Sequence, residues 1–286
     1  MALTRQILVF LFLLAGIATA GSPEWDLAHE LYQRTEYQKA LQVLQAIPQK
    51  DAASLQLAGQ SHFMLGDYKK AGETFEKAIA LAPQSSELHH WMGRTWGRRA
   101  ETGSVLTAPG YASKARQSFE RAVQLDPTNQ EAVNDLFDYY LEAPGILGGG
   151  IHKAEDLARH IANLDEAEGH YALAQVEHKR KEFQNAEDHL RRAAELAPQQ
   201  VGRIIDVAKY LAERGRVPES DALFSKAFLH SPSSPKVLFA RAEVYVRQKR
   251  NLADARRLLQ QYLNSTLTPD DPPRERAEEL LKQIGR

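Results

Sequence analysis

The sequence has 286 residues, of which 43% are hydrophobic and 26% are charged, with 36 Lys and Arg against 37 Asp and Glu. This composition is typical of a folded globular domain, and it argues against a disordered chain and against a protein with many membrane spans. A net charge of −1 gives little support to nucleic-acid binding, and the absence of cysteine excludes disulfides, thiolate metal sites and cysteine nucleophiles.

The first 20 residues predict a secretory signal peptide. One cation, Arg5, precedes an unbroken apolar run over residues 7–18, and the small residues Ala18 and Ala20 flank one position at its end. A membrane-spanning helix needs about 20 apolar residues, which is more than this run provides. We therefore expect cleavage after Ala20 and an exported chain, periplasmic or secreted, without a membrane span. An uncleaved anchor is the alternative.

From residue 21 onward the chain repeats itself. Apolar or small residues recur at i, i+3, i+4 and i+7 in pairs of segments, which predicts two helices in each repeat. Pro198 and Pro232 follow two successive repeats and are 34 residues apart. One helix pair cannot bury its apolar face alone, so the repeats must stack. The clearest unit, residues 52–85, contains Gly59, Gly66, Asp67, Tyr68, Ala71, Phe75, Ala78 and Pro83.

This pattern resembles the tetratricopeptide repeat, and the chain is similar to exported bacterial proteins of that family. The resemblance implies an all-α fold, a right-handed α-solenoid of about seven helix-turn-helix units. Phe137 stands in the fourth unit where the repeat has a small residue. Residues 268–286 are expected to form a C-terminal capping helix, with Asp270 or Asp271 capping its start. The units are expected near residues 21–51, 52–85, 86–129, 130–166, 167–200, 201–234 and 235–267.

The resemblance also implies that the first helix of each unit lines a concave groove. Aromatic side chains interleaved with amides and cations suit a segment of a partner protein. We therefore expect a non-catalytic scaffold or adaptor of the cell envelope that binds another protein, and a homo-oligomer is also compatible with the pattern. Matched position by position, the groove residues are Trp25, His29, Tyr32, Gln56, Gln60, Phe63, His90, Arg94, Arg98, Asn134, Asp138, Tyr171, Gln175, His178, Lys179, Ile205, Lys209, Phe239 and Arg247.

The third and fourth units contain extra residues between their two helices, and both insertions include Ala-Pro-Gly. Equivalent turns of stacked repeats lie on one side, so we expect the insertions to be neighbours, and we call them together the loop edge. Ile146 and Leu147 are expected to pack against the solenoid. Cations flank the glycines, so binding of a small ligand or an envelope glycan is the alternative function. The residues of this edge are Arg99, Pro109, Gly110, Pro144, Gly145, Gly148, Gly149, Gly150, His152 and Lys153.

The sequence gives little support to catalysis or metal binding. His170 and His178 are eight residues apart, which separates them by about 12 Å along a helix. The chain contains no His-Glu-x-x-His run, no EF-hand loop and no Gly-x-Ser-x-Gly elbow. We therefore predict no catalytic residue, no metal and no cofactor. An enzyme is the weakest of the three hypotheses.

Overall fold

The computed structural model describes residues 22–268 and 270–285, so the predicted signal peptide lies outside the described residues. Within these ranges the chain is all-α, as predicted, with fifteen α-helices, a short 3-10 turn at Gly145–Leu147 and no strand. None of the described helices has both the length and the apolar character needed to cross a membrane. The helices are α1 (Pro23–Gln33), α2 (Tyr37–Gln45), α3 (Ala52–Met64), α4 (Tyr68–Leu81), α5 (Ser86–Thr102), α6 (Ala108–Leu125), α7 (Gln130–Glu142), α8 (Ile151–Leu164), α9 (Glu166–Arg180), α10 (Phe183–Leu196), α11 (Val201–Glu213), α12 (Val217–His230), α13 (Pro235–Arg247), α14 (Leu252–Leu263) and α15 (Arg274–Ile284).

The first fourteen helices pack as seven consecutive pairs in the described part of the chain, and each pair also contacts the next. Short connections require the two helices of a pair to run in opposite directions. The last helix, α15, packs on α13 and α14. Its Ala277 and Leu280 are buried together with Leu259 and Tyr262 of α14. The final helix therefore covers the apolar face that the last pair would otherwise expose, which is the role of a cap on a solenoid.

Local chemistry explains where the helices begin and turn. Gly66 and Gly215 adopt positive φ angles of 77° and 74° between the helices of their pairs, a conformation that glycine reaches without strain. The start of α15 differs from prediction. No side chain caps it, and the Asp271 carboxylate instead accepts hydrogen bonds from the backbone N–H of Thr268 at 2.9 Å and from its hydroxyl at 3.0 Å. The expected capping by Asp270 or Asp271 is therefore wrong.

Small and large residues face each other within each helix pair. A Cβ atom added to Gly59 would lie 2.6 Å from the Phe75 ring, so the glycine makes room for that ring. The fourth pair reverses the sizes. Phe137 on α7 takes the place of the glycine, and Ala158 on α8 takes the place of the phenylalanine, and both are buried in one cluster. The exchange preserves volume, and volume-preserving changes are the ones that cores tolerate best.

Candidate functional site

The odd-numbered helices form the concave side of the solenoid, and three cavities open along it. The N-terminal cavity, about 830 Å³, lies among α1, α3 and α5. The central cavity, about 540 Å³, lies among α5, α6 and α7. The C-terminal cavity, about 240 Å³, lies among α9, α10 and α11. Most side chains that the sequence predicted for the groove line one of these three cavities.

The N-terminal cavity is rich in aromatic and amide groups. The rings of Trp25 and His29 stack with centroids 5.0 Å apart. Thr268 and Asp270, from the connection before α15, also line this cavity, so the two ends of the solenoid meet across the groove. The sequence had no signal for this closure. The predicted residues that the cavity brings together are Trp25, His29, Tyr32, Gln56, Gln60 and Arg94.

Two arginines of α5 have their positions fixed by aromatic rings. The Arg94 guanidinium lies 4.4 Å from the Trp91 ring centroid and 5.4 Å from that of Phe63, and Arg94 lines both the N-terminal and the central cavity. Arg98 donates from Nε to the Tyr68 hydroxyl at 3.1 Å. Cation–π contacts of this kind stabilise by about 0.5–2 kcal/mol and restrict the rotamers of the cation. The arginines are therefore ordered before any partner arrives. The central cavity brings together Phe63, Arg94, Arg98 and Asp138.

Asp138 is a carboxylate without an ion pair among the described residues, and it opens into the central cavity. Desolvation by the groove wall, followed by the negative charges of Asp135, Glu142 and Glu168, raises its pKa to about 6. Desolvation likewise raises the pKa of Asp206 to about 6, against the opposing effect of Arg203. Both carboxyl groups therefore keep their protons to a higher pH than an ordinary aspartate does.

The C-terminal cavity brings together Tyr171, Gln175, His178 and Lys209. The Arg203 guanidinium lies 4.7 Å from the centroid of the Tyr171 ring, and burial raises the pKa of the Tyr171 hydroxyl to about 12. The His178 ring meets the Tyr210 ring edge-on at 5.7 Å. These contacts form a rigid wall of ring edges and amides around a small opening.

Ion pairs join successive units along the same concave side. Lys179 pairs with Glu142 at 2.8 Å, and Arg247 pairs with Glu213 at 2.6 Å. Arg203 pairs with Glu168 in the same way. The first two pairs are exposed, and exposed pairs contribute about 0–1 kcal/mol each. Lys179 and Arg247 were predicted to contact a partner. In the structure, each instead forms an ion pair with a carboxylate of the preceding unit.

Three predicted groove residues are buried and cannot contact a partner. His90 is 1% exposed, and its Nε2 lies 2.7 Å from a carboxylate oxygen of Asp135. Phe239 is 5% exposed and packs on the Tyr262 ring at 5.1 Å, and Ile205 is 6% exposed. For these residues the prediction is wrong, because each side chain points into the layer between helices. Asn134 is half-buried and lines none of the three cavities.

At the loop edge, the first insertion lengthens two helices more than it lengthens a loop. Helices α5 and α6 have 17 and 18 residues, and only residues 103–107 connect them. Pro109 and Gly110, predicted in a loop, lie in the first turn of α6.

The expectation for the second insertion also needs correction. Ile146 is 94% exposed instead of packed, while Leu147 is half-buried against the central cavity.

The glycine run at this edge closes on itself. Gly148 has a φ of 88°, and a Cβ atom on Gly149 would lie 1.9 Å from the carbonyl oxygen of Ala143. The backbone N–H of Gly150 donates to the Tyr140 carbonyl at 2.8 Å, and Lys153 donates to the Gly148 carbonyl at 2.9 Å. The backbone N–H and carbonyl groups of this turn therefore find many of their hydrogen-bond partners within the turn and the adjoining helices. Pro144 lines the central cavity, and Gly145 and His152 are at the surface. A ligand cradle at this edge stays a prediction.

The described residues contain no group of three or more side chains suited to hold a metal ion. The structure brings together one pair of histidines that the sequence pattern did not predict. His170 Nδ1 lies 2.8 Å from His189 Nδ1, and the two residues belong to neighbouring helices, α9 and α10. A hydrogen bond between these nitrogens needs a proton on one of them and a lone pair on the other. No regular spacing connects positions 170 and 189, so only the packed pair reveals the contact.

The stacked helix pairs define the class of the protein as a helical-repeat solenoid. A tetratricopeptide repeat model matches residues 52–85, and a second tetratricopeptide repeat model matches residues 154–201 and 206–272. These ranges together cover just over half of the chain. The chain belongs to the tetratricopeptide repeat family, as the repeat pattern predicted.

Solved structures show the same fold. A tetratricopeptide repeat protein from Parabacteroides merdae has 16% identity and a TM-score of 0.60, with 92% of this chain and 98% of that chain covered. A thermophilic protein of the family from Thermus thermophilus has 20% identity and a TM-score of 0.54, with 66% and 97% covered. Cut9, in a hetero-tetramer with Hcn1 of the APC/C, has 16% identity and a TM-score of 0.51, with 94% and 50% covered. No curated protein matches the sequence.

Proposed function

We propose that this chain is a non-catalytic scaffold of the cell envelope that holds a segment of a partner protein in its concave groove. Tetratricopeptide repeats in general mediate protein–protein interactions and act without catalysis. The observation that supports the groove as the binding surface is the run of three cavities along one side of the solenoid. Arg94 lines both the N-terminal and the central cavity, so the opening is continuous there.

The chemistry of the groove favours a peptide over a small apolar ligand. Its walls alternate aromatic rings, such as Trp25 and Tyr171, with amides that have no side-chain partner among the described residues, such as Gln60 and Gln175. Amides can pair with the backbone of an extended segment, and the rings can cover its side chains. The guanidinium of Arg94 is already ordered, which lowers the entropic cost of binding.

A matched pair of double variants tests the groove. Gln60→Arg with Gln175→Arg places two long cations in the N-terminal and C-terminal cavities without removing an internal hydrogen bond. Gln42→Arg with Gln260→Arg makes the same chemical change on exposed faces of α2 and α14. We expect cross-linking from intact cells, followed by mass spectrometry, to recover one partner with the wild type and the control, and to lose it with the groove variant. Equal recovery by all three would overturn the groove as the working surface. Recovery of a second copy of the chain would identify a homo-oligomer.

Export is a separate part of the proposal and rests on residues 1–20. The mass of the protein purified from the envelope fraction measures it directly. A mass that corresponds to a chain beginning at Gly21 supports cleavage after Ala20. An intact N-terminus in the cytoplasm contradicts export and leaves the groove proposal standing.

A further inference from the structure

Three of the four most exposed aliphatic side chains of the described residues lie on the loop edge. Val105 is 89% exposed, Leu106 is 93% exposed and Ile146 is 94% exposed. Only one other large apolar side chain in the described ranges, Leu229 on α12, is more than four-fifths exposed. Scattered aliphatic residues on a surface are ordinary, but several on one edge mark a site of contact.

The two insertions lie side by side. Helix α6, which follows the first insertion, contacts the 3-10 turn of the second. A Cβ atom added to Gly148 would lie 2.8 Å from Nε of Arg116 on α6. Ala112 of α6 and Pro144 of the second insertion line one cavity. The three aliphatic side chains therefore project from a single edge of the solenoid.

Cations that have no carboxylate partner within residues 22–268 and 270–285 accompany them. Lys114 is exposed and its ammonium lies 4.5 Å from the centroid of the Trp96 ring. Lys153 is exposed and lies 5.0 Å from the Tyr140 ring centroid, where it also donates to a backbone carbonyl. Arg99 lies between the rings of Trp96 and Tyr111, at 4.8 and 4.3 Å. Rings and carbonyls orient these charges but do not neutralise them.

On α5 and α6, the carboxylates near the insertions do not cancel this charge, because arginines already hold them. Glu101 pairs with Arg98, and Glu120 accepts both guanidinium hydrogen bonds from Arg116, at 2.8 and 2.9 Å. These pairs are neutral as units, so Arg99, Lys114 and Lys153 leave the edge positive. Aliphatic tips beside uncompensated cations suit an interface in which apolar and negative groups alternate over a few ångströms.

We propose that the loop edge rests on the surface of an anionic phospholipid bilayer. Val105, Leu106 and Ile146 enter the headgroup layer, and Lys114 and Lys153 meet lipid phosphates. The aliphatic tips protrude from turns, and a lipid surface adapts to such protrusions. Such contact is peripheral and involves no membrane-spanning helix. The three aliphatic tips themselves line none of the three groove cavities.

Vesicle sedimentation tests the proposal. The chain beginning at Gly21 contains every packed residue that the structure describes and lacks the apolar run of residues 7–18, which would bind lipid by itself. The probes are vesicles of phosphatidylglycerol with phosphatidylcholine, and vesicles of phosphatidylcholine alone. We expect binding to the anionic vesicles, with a fall of about tenfold or more in the partition coefficient for the triple variant Val105→Ser, Leu106→Ser, Ile146→Ser. The control Leu229→Ser removes an equally exposed side chain and should bind as the wild type does.

Charge gives a second readout. Lys114→Gln with Lys153→Gln should weaken binding to anionic vesicles and remove much of its dependence on salt.

Three results would overturn the proposal. These are no sedimentation of the wild type with anionic vesicles, equal sedimentation of the triple variant, or equal sedimentation with both lipid compositions. Self-association that the triple variant abolishes, seen by analytical ultracentrifugation without vesicle binding, would identify a second copy of the chain as the occupant instead. None of these results bears on capture of a partner in the groove.

Discussion

Gly169 of α9 lies directly against Ala162 of α8, so closely that a Cβ atom on Gly169 would be 2.3 Å from the Ala162 Cα atom. A single residue, Asp165, separates these two helices. The neighbour at this contact is backbone, which cannot rotate away as a side chain does. The close approach therefore depends on the missing side chain of residue 169.

Gly169→Ala should destabilise the protein by about 1–3 kcal/mol, because overpacking against a helix backbone forces the two pairs apart. Urea unfolding followed by circular dichroism measures the change. Gly97→Ala is the matched control, since an added Cβ at position 97 meets no atom within 4 Å. That variant should be neutral or up to about 1 kcal/mol more stable. Similar losses for both variants would show that the contact between α8 and α9 is looser than described.

Asp135 and Glu131 both face the buried His90, but at different distances. The Asp135 carboxylate is 2.7 Å from Nε2, whereas that of Glu131 is 3.8 Å from Nδ1 and is 76% exposed. Asp135→Ala leaves the buried imidazole without its acceptor and should cost about 1–3 kcal/mol of unfolding free energy. Glu131→Ala should change stability by less than about 0.5 kcal/mol. Chemical unfolding of the two variants distinguishes them, and equal effects would contradict a specific role for Asp135.

Stability should fall as pH rises through the titration of Asp138. Its pKa is raised to about 6, so between the ordinary value of an aspartate and pH 6 the folded state binds more protons than the unfolded state. The loss is complete above that window and absent below it. Asp138→Asn should therefore raise the melting temperature near pH 7.5 and leave it unchanged near pH 4. The exposed Asp188→Asn is the control. A gain for Asp138→Asn at both pH values would contradict the proton linkage.

The cap helix should stabilise the last unit through one leucine. Leu280 is 4% exposed and packs with Leu259 and Tyr262. Leu280→Ala should cost about 2–5 kcal/mol, because it removes buried methyl groups and leaves a cavity. Hydrogen exchange should show the loss first in α13 and α14, since each repeat contacts only its neighbours. Leu229→Ala, at a side chain that is 84% exposed, should leave exchange unchanged. Uniform loss of protection along the whole chain would indicate a single cooperative unit instead.

The fold was predictable because its determinants are local. Gly59, Phe75 and their equivalents recur at fixed spacing, and each acts within one helix pair or between neighbours. Even the exchange of Phe137 with Ala158 preserves the repeat, because the two residues compensate in volume across a single pair. A periodic pattern is sufficient to identify interactions of this range.

The site was predictable only in part, because exposure on the concave side depends on neighbouring units. His90 and Phe239 occupy positions of the repeat that face the groove elsewhere, yet Asp135 and Tyr262 draw them into the interior. The raised pKa of Asp138 depends on burial in the groove and on Asp135 and Glu142 of its own helix, but also on Glu168 of α9, which belongs to the next unit. The participation of Thr268 and Asp270 depends on the accumulated curvature of the whole solenoid, which no single unit encodes.

Because Thr268 and Asp270 line the same cavity as Trp25, the shape of the N-terminal cavity depends on the stacking of every unit between them. Each stacked pair adds a small rotation, and the gap between first and last units is the total of those rotations. A small change in the angle at one interface therefore produces a larger displacement at the end of the solenoid. The displacement grows with the number of units that lie between the interface and that end. Substitutions in the even-numbered helices can therefore change the width of the opening, because packing between units sets the distance between the two ends of the solenoid.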